Sequence, residues 1–213
     1  MITKNSDNTF LFNDVVFGPI ESRRLGRSLG VNLLPTAIKY CNFNCIYCEC
    51  GWTKNKQGIG KELVSEEQVI NQLDLALQGS FNQNKQIDSI TFAGNGEPTI
   101  HPGFEQIIKK TVLLRDEKFP KTKISVLTNA SMLHRKSVIQ GLLLADERLF
   151  KLDAGLESTF RIINDSSKGL TLDEITENIS KFKGTKTLQT LFLKGQKVDN
   201  STPEELEAWL NRI

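Results

Sequence analysis

Short apolar runs alternate along the chain with segments in which apolar residues recur every three or four positions. The runs are typical of buried strands, and the second spacing is typical of amphipathic helices. The predicted strands are Val31–Leu34, Ile87–Ala93, Ile124–Leu127, Leu149–Leu152 and Thr187–Leu193. Because strand and helix alternate regularly, the pattern predicts a parallel sheet with right-handed crossovers.

Capping sequences mark where several of the helices begin. Ser or Thr followed three residues later by Glu or Gln forms a capping box, and proline is favoured at the first helical position. Such sequences occur at Ser65 with Gln68, at Thr171 with Glu174, and at Thr202 with Pro203 and Glu205. Two further helices are predicted from about Pro102 to Glu117 and from beyond Asn129 through Leu144.

Three of the four cysteines fall within eight residues, in the run Cys41-Asn-Phe-Asn-Cys45-Ile-Tyr-Cys48. Cysteine thiolates are the usual protein ligands of Fe–S clusters, and the full set is four. Three thiolates on one loop would hold three irons of a four-iron cluster and leave the fourth open to a small molecule, as in catalytic zinc sites. Cys50 could close that position, but a single intervening residue makes a tight chelate, which favours Cys50 as a free or substrate-facing thiol.

Zinc and redox-active thiols are the alternatives for this cysteine cluster. Zinc sites usually combine two cysteine pairs, or cysteines with closely spaced histidines. The two histidines here, His101 and His134, are far apart, and no second cysteine pair follows. A disulfide is disfavoured because the N-terminal sequence is polar and carries no secretory signal. The spacing therefore favours iron, with zinc and redox thiols left open.

Composition limits the remaining possibilities. The chain has 213 residues, of which 38% are hydrophobic and 24% charged, as in ordinary globular proteins. Its net charge of +2 makes no strong electrostatic case for nucleic acid or membrane binding. Apolar runs such as Leu142–Leu144 are too short to span a bilayer. We predict one cytoplasmic domain over residues 1–213, with an N-terminal extension at about 1–27 and a core at about 28–213.

Glycine and polar residues follow the predicted strands. Gly94-Asn-Gly-Glu97 comes after the second strand, Thr128-Asn129 after the third, and Asp153 after the fourth. Barrels and open α/β sheets place their active sites at the carboxyl ends of strands. The alternative is that these residues only form turns and caps.

The cysteine run, CNFNCIYC, resembles the signature of the radical S-adenosylmethionine (SAM) superfamily, and GNGE looks like that family's glycine-rich motif. The segment Phe17–Gly30 resembles the entry of a branch that includes relatives of the tRNA wybutosine-synthesis enzymes. The resemblance implies a [4Fe-4S] cluster on Cys41, Cys45 and Cys48, with SAM as second cofactor. It also implies reductive cleavage of SAM to methionine and a 5′-deoxyadenosyl radical, which takes a hydrogen atom from an unidentified substrate.

The resemblance assigns further residues to SAM. Backbone groups of Gly94, Asn95, Gly96 and Glu97 would hold its methionine end, because glycine allows close backbone approach. We therefore expect Gly96→Val to weaken SAM binding while the cluster stays loaded. The polar side chains of Thr128, Asn129 and Asp153 would contact the ribose and the carboxylate of SAM. The backbone of Tyr47 and the segment Leu191–Lys194 would contact its adenine. Arg23, Arg24 and Arg27 could bind phosphate or carboxylate, or form a solvated turn.

The family usually has at least six strand–helix units, whereas five are counted here. We therefore predict a partial (β/α) barrel of about five to six parallel strands. A one-electron reductant such as flavodoxin or ferredoxin is implied, and tRNA is one candidate substrate. The competing functions are a structural protein in which four cysteines close around zinc or a cluster, and a maturase or regulatory fragment that works with a partner.

Overall fold

The computed structural model describes residues 2–4, 9–53 and 63–213. Its strands are β1 (Ile2–Lys4), β2 (Phe10–Phe12), β3 (Val16–Ser22), β4 (Gly26–Val31), β5 (Ser89–Phe92), β6 (Lys123–Thr128), β7 (Glu147–Lys151) and β8 (Thr187–Gln189). Its α-helices are α1 (Glu66–Asn82), α2 (Phe104–Lys118), α3 (Lys136–Leu144), α4 (Glu157–Asn164), α5 (Leu172–Lys181) and α6 (Pro203–Leu210).

Six strands form one sheet, in the order β3-β4-β5-β6-β7-β8. Strands β4 to β8 are parallel, and each pairs with the next in sequence. The sheet is open, with β3 and β8 at its two edges. The predicted partial barrel with five strand–helix units is therefore confirmed. The sixth strand, β3, is antiparallel to β4, because the short turn between them cannot make a parallel crossover.

The first predicted strand, Val31–Leu34, is wrong in position. The observed strand β4 ends at Val31, and the chain then turns at Asn32. The Asn32 side chain causes this turn, since it accepts from Leu34 N at 3.2 Å and donates to Leu34 O at 2.9 Å. The start of β4 therefore falls just before the predicted core boundary at residue 28, and β3 of the N-terminal extension belongs to the main sheet.

Two other elements differ from the prediction. The last strand ends at Gln189 instead of Leu193, because Asp153 Oδ1 accepts a hydrogen bond from Leu191 N at 2.9 Å and draws the chain off the sheet. Helix α4 is absent from the prediction because its N-cap, Leu156, makes no side-chain capping bond. Its periodic buried residues, among them Phe160 and Ile163, were the available signal.

The two faces of the sheet differ in polarity. One face packs on the helices through residues such as Leu29, Ile90, Phe92 and Ile124, all fully or almost fully buried. The opposite face carries a row of hydroxyls joined across the strands: Ser28 to Thr91 at 2.6 Å, Thr91 to Ser89 at 3.0 Å, and Ser89 to Ser125 at 2.9 Å. The strands are thus not apolar on both faces as their runs suggested.

The predicted helix starts are confirmed at the capping sequences. Ser65 and Thr171 each accept a hydrogen bond from the backbone three residues on, and each capping box is complete. Thr202 accepts from Glu205 N, with Pro203 in the first turn. Within the described part of the chain, no helix has the length and apolarity needed to cross a membrane.

Candidate functional site

The cysteine loop begins after β4 and lies against the GNGE turn that follows β5. Tyr40 N donates to Asn95 O at 2.7 Å, and Glu97 N donates to Tyr40 O at 3.2 Å. Tyr40 and Gly96 therefore pair like two parallel strand residues. Since Cys41 follows directly, the first cysteine is fixed next to the glycine-rich turn, at the carboxyl ends of the strands as predicted.

The middle of the cysteine loop docks on the C-terminal end of α4. Asn44 N donates to Asn164 O and Ile46 N donates to Ile163 O, both at 2.9 Å. The last carbonyls of a helix have no partner within the helix, so these bonds satisfy them. Phe43, which is buried, packs edge-on against Phe160 with 5.5 Å between ring centres. The loop conformation is therefore set by protein contacts.

Two of the clustered sulfurs accept hydrogen bonds from nitrogen. Cys41 Sγ lies 3.4 Å from Phe43 N and 3.8 Å from Asn129 Nδ2. Cys45 Sγ lies 3.3 Å from Asn164 Nδ2. Cys50 differs, because its thiol is a donor: its one hydrogen has Gly94 O, 3.7 Å from Sγ, and the Cys48 sulfur as alternative acceptors. The four cysteines are all free and half-buried, and nitrogen donors face only the sulfurs of Cys41 and Cys45 among these hydrogen bonds.

A buried ammonium group serves the same loop. Lys39 is only 4% exposed, and its Nζ donates to Gly51 O at 2.8 Å. After the hydrogen bond with Cys50, its positive charge helps to lower the pKa of Cys48, and at Cys41 and Cys50 it only partly offsets larger effects that raise the pKa. Burial of a cation is costly unless anionic groups are near, so Lys39 is best accommodated when these sulfurs carry negative charge.

The thiols differ in acidity. Burial, with a smaller contribution from Glu97, raises the pKa of Cys41 to about 12. Burial also raises the pKa of Cys45. A hydrogen bond with Cys50, aided by Lys39, lowers the pKa of Cys48 to about 6, whereas the same bond raises the pKa of Cys50. In the metal-free protein, negative charge therefore collects first on Cys48.

The Glu97 carboxylate ties the end of β5 to the end of β6. Its Oε1 accepts from Thr99 N at 3.0 Å and from Thr128 Oγ1 at 2.6 Å, and its Oε2 accepts from Asn129 N at 2.7 Å. Glu97 is buried, and burial raises its pKa. Asn129 in turn donates to Asn42 Oδ1 at 2.9 Å. Glu97, Thr128 and Asn129 thus meet as predicted, and their polar atoms bind one another.

Neighbouring protein atoms leave no room for a side chain at the two glycines of the GNGE turn. A Cβ on Gly94 would lie 2.5 Å from Asn32 Oδ1, and one on Gly96 would lie 1.9 Å from Tyr40 O. The Asn95 side chain is fully buried and bonds to Phe12 and Pro35. A valine at position 96 would push against the residue before Cys41, so we now expect Gly96→Val to impair cluster loading as well as SAM binding.

Asp153 lies at the end of β7 with its carboxylate fully surrounded. Oδ1 accepts from Leu191 N at 2.9 Å and lies 3.2 Å from Lys151 Nζ. Oδ2 accepts from Tyr47 Oη and from Asn164 Nδ2, the latter at 2.9 Å. A carboxylate has about four lone-pair sites, so all are used. Asp153 organises the site as observed, and a ribose contact would require it to exchange a partner.

The predicted arginines lie apart from these contacts, whereas the segment that begins at Leu191 reaches Asp153 through its backbone. Arg23 and Arg24 are exposed in the β3–β4 turn, and Arg27 pairs with Asp88 at 3.6 Å. They precede or begin β4, whereas the cysteine loop follows it, so the arginines lie at the opposite end of the strands. Leu191 and Phe192 follow β8 and are partly exposed, at 38% and 55%.

The model of the family described as the radical SAM superfamily matches residues 36–206. The chain belongs to the radical SAM superfamily. This match includes the cysteine loop, the GNGE turn and all strands from β5 to β8. Radical SAM proteins use a [4Fe-4S] cluster and SAM, and the superfamily consists mainly of enzymes.

Similar sequences occur in longer proteins. The chain is 37% identical over 183 residues to the UPF0026 protein MJ1312 of Methanocaldococcus jannaschii, covering 84% of this chain and 54% of that protein. A UPF0026 protein of Helicobacter pylori is 35% identical, and the match covers 93% of this chain and 63% of that protein. A protein of Brachyspira hyodysenteriae named GTPase Obg is 33% identical, and the match covers 97% of this chain and 29% of that protein. The chain thus spans between about a third and two thirds of these relatives.

Solved structures share the fold at low sequence identity. A radical SAM methyltransferase from Sphaerobacter thermophilus matches all of this chain and 62% of its own, with a TM-score of 0.60 and 13% identity. TYW1 with a lysine-pyruvate adduct matches with a TM-score of 0.54 and 20% identity, over 79% of this chain and 56% of its own. Native anSMEcpe with bound AdoMet matches with a TM-score of 0.52 and 19% identity, over 76% of this chain and 42% of its own.

The residues present fit the radical SAM cluster by their donor chemistry. Three thiols lie on one loop, hydrogen-bond donors face the sulfurs of Cys41 and Cys45, and the Lys39 ammonium is buried beside them. Burial opposes the anionic sulfur that binds iron, and the hydrogen-bond donors, with the Lys39 charge at Cys41, partly offset that effect. Among the described residues, no three His, Cys, Asp or Glu side chains form a group that could hold a single metal ion; in a cubane cluster each thiolate binds a separate iron.

The metal-free protein should be alkylated first at Cys48. Because the pKa of Cys48 is about 6 and that of Cys41 about 12, iodoacetamide at neutral pH should modify Cys48 first and Cys41 last. The rate at Cys48 should rise with pH through a midpoint near 6, and Lys39→Met should move that midpoint upward. Mass spectrometry of modified peptides measures both. Lys151→Met, which removes a lysine bound to Asp153 instead, is the control; equal rates at Cys41 and Cys48 would contradict the assignment.

Sequence reasoning missed two residues of this site. Lys39 stands two positions before Cys41, and its place beside the cysteine run was the available signal. Asn164 lies on the unpredicted helix α4, 119 positions from Cys45. Its contact depends on how the helix packs, so nothing in the local sequence could indicate it.

Proposed function

We propose that this chain is a radical SAM enzyme that binds its [4Fe-4S] cluster through Cys41, Cys45 and Cys48 and cleaves SAM reductively. Its substrate would lose a hydrogen atom, which makes the reaction of the oxidoreductase or lyase type. The proposal gives Cys50 no ligand role. It gives the backbone of Gly94–Glu97 the methionine end of SAM.

One observation carries this proposal: the cysteine loop and the GNGE turn are joined by backbone hydrogen bonds at Tyr40. The 2.7 Å bond to Asn95 O and the 3.2 Å bond from Glu97 N put the two motifs in direct contact. An open iron site is useful only if the small molecule that binds it is held alongside. The contact of the two motifs supports that pairing over a cysteine cluster with a purely structural role.

The side chains around this contact have supporting tasks in the proposal. Glu97, Thr128 and Asn129 hold the ends of β5 and β6 together, so the turn presents its backbone in one conformation. Asp153 fixes Tyr47 and Lys151 at the neighbouring strand end. Because their polar atoms are already bonded within the protein, these residues contribute mainly by preorganising the SAM site.

With the cluster held by Cys41, Cys45 and Cys48 and SAM held along Gly94–Glu97, the reduced cluster would supply the electron that splits SAM into methionine and a 5′-deoxyadenosyl radical, which would take hydrogen from the substrate. The electron must come from a low-potential donor of the flavodoxin or ferredoxin class, which we propose as a partner. A thiolate-held cluster suits a reducing compartment, so we place the protein in the cytoplasm.

The test is anaerobic reconstitution with iron and sulfide, followed by dithionite and SAM. We expect a brown protein, a change in its ultraviolet–visible spectrum on addition of SAM, and formation of 5′-deoxyadenosine and methionine. A Cys45→Ala variant is the matched control and should form neither product. A colourless protein that retains zinc, or a cluster whose spectrum ignores SAM, would contradict the proposal and favour the structural metal site.

A second candidate is a radical SAM component that acts with another chain or domain. The observation that favours it is length, since the UPF0026 relatives extend well beyond the matched region. In this case the isolated chain would cleave SAM slowly without consuming a substrate. Adding tRNA tests whether tRNA is the substrate. Formation of 5′-deoxyadenosine that rises with tRNA would support tRNA as the substrate. An unchanged rate of SAM cleavage, together with no binding of tRNA at low salt, would reject it.

A further inference from the structure

We propose that Asn164 is a positioning residue that links the cluster to Asp153 and raises the reduction potential of the cluster. This inference deepens the proposed function and depends on Cys45 being a cluster ligand. Its basis is a single buried amide group that donates both of its hydrogens at the centre of the site.

The geometry of Asn164 is specific. Its Nδ2 lies 3.3 Å from Cys45 Sγ and 2.9 Å from Asp153 Oδ2. An iron-bound thiolate and a carboxylate only accept hydrogen bonds, so the amide must turn its NH2 group toward both. The Asn164 backbone carbonyl also accepts from Asn44 N at 2.9 Å. One residue therefore holds the loop, one of its sulfurs and the neighbouring carboxylate.

The other end of the amide argues against a purely structural role. Asn164 is 1% exposed, and its Oδ1 is buried with no hydrogen-bond partner among the described residues. An unsatisfied buried oxygen is unfavourable for folding. A leucine of similar size would avoid it. The amide is therefore best explained by what its NH2 group does for Cys45 and Asp153.

Hydrogen bonds to cluster sulfurs are among the factors that set reduction potential. Reduction adds negative charge, part of which resides on the thiolate sulfurs. An N–H group directed at Cys45 Sγ stabilises that charge, so the reduced state becomes easier to reach. The second N–H restrains Asp153, whose other oxygen contacts Lys151 and Leu191 N. Electron uptake and the order of the SAM site are thus connected through one side chain.

The test compares reconstituted wild type with Asn164→Leu and Asn164→Asp by potentiometric titration followed by electron paramagnetic resonance. The leucine variant removes both donors, and we expect its midpoint potential to become more negative. The aspartate variant keeps the shape, but its carboxyl group would share a proton with the neighbouring Asp153 carboxylate and so lose the donor to Cys45; its potential should fall to about that of the leucine variant. The control is Asn200→Ala: Asn200 is equally buried and bonds to Asp153 O at 2.7 Å without touching a sulfur, so its potential should match wild type.

Unchanged potentials in both Asn164 variants would overturn the inference. Loss of iron from both variants, with thermal melting like that of wild type, would overturn it as well, because Asn164 would then serve only to assemble the loop. Wild type that takes up no iron–sulfur cluster would instead refute the proposed function. Iron content and absorbance of wild type therefore separate the two failures.

Discussion

Alanine substitution of Cys41, Cys45 or Cys48 should remove the cluster, whereas Cys50→Ala should retain it. Each of the three would leave one iron without its protein ligand, since the open-site arrangement has no spare thiolate. The hydrogen bonds fit this division: Cys41 and Cys45 accept from nitrogen, while Cys50 donates to Gly94 O. We expect iron to fall from about four per chain to near zero in the three variants.

This difference is measured by iron and sulfide analysis after anaerobic reconstitution, together with the visible absorbance of the iron–sulfur cluster. Circular dichroism of each metal-free variant shows whether the fold is kept. Equal iron loss in all four variants would mean that Cys50 is also a ligand. The fourth iron would then have no open position for SAM, and the proposed function would fail with it.

The substitution Gly96→Val should destabilise the protein and prevent cluster loading. Its Cβ would lie 1.9 Å from Tyr40 O and 2.5 Å from Tyr40 C, and backbone atoms cannot move aside as a side-chain tip can. Gly96 also has φ of +146°, which a β-branched residue rarely adopts. Strain of this kind costs on the order of 1–3 kcal/mol before the clash is added, and about 1 kcal/mol lowers the melting temperature of a chain of this size by about 2–4 °C.

Thermal melting followed by circular dichroism and iron analysis checks this prediction. Gly79→Ala is the matched control, because Gly79 lies in α1 with no atom within 4 Å of the added Cβ. Alanine there should raise stability by up to about 1 kcal/mol and leave the iron content unchanged. The prediction would be contradicted if Gly96→Val melted like wild type and loaded a full cluster but bound SAM weakly in calorimetry. That result would show that Tyr40 moves to make room for the valine and that Gly96 contacts SAM directly.

The parts of the fold that could be predicted are those set by local sequence. Capping boxes at Ser65 and Thr171 identify helix starts because the cap and its partner are three residues apart. The meeting of the cysteine loop with GNGE follows from parallel topology alone, since both motifs come after strands. Periodic apolar residues were enough to count five strand–helix units.

The parts that escaped prediction depend on distant contacts. Strand β4 carries Ser28 and Gly30 on the hydroxyl-lined face, so it has no long apolar run. Helix α4 lacks a side-chain cap. The contact of Asn164 with Cys45 joins residues that only the packed fold brings together. The SAM assignments for Tyr47, Thr128, Asn129 and Asp153 stay predictions, and their dense internal hydrogen bonds were invisible in the sequence.

The docking of the cysteine loop on α4 bears on how the protein acquires iron. In zinc fingers, metal binding and folding are one event, so a chelator unfolds the domain. Here the amides of Asn44 and Ile46 are already bonded to helix carbonyls, and Phe43 is already buried. These contacts are made by protein atoms alone, so the backbone of the loop does not depend on iron ligands to hold it in place. Oxidative loss of iron should therefore be repairable without the chain having to refold.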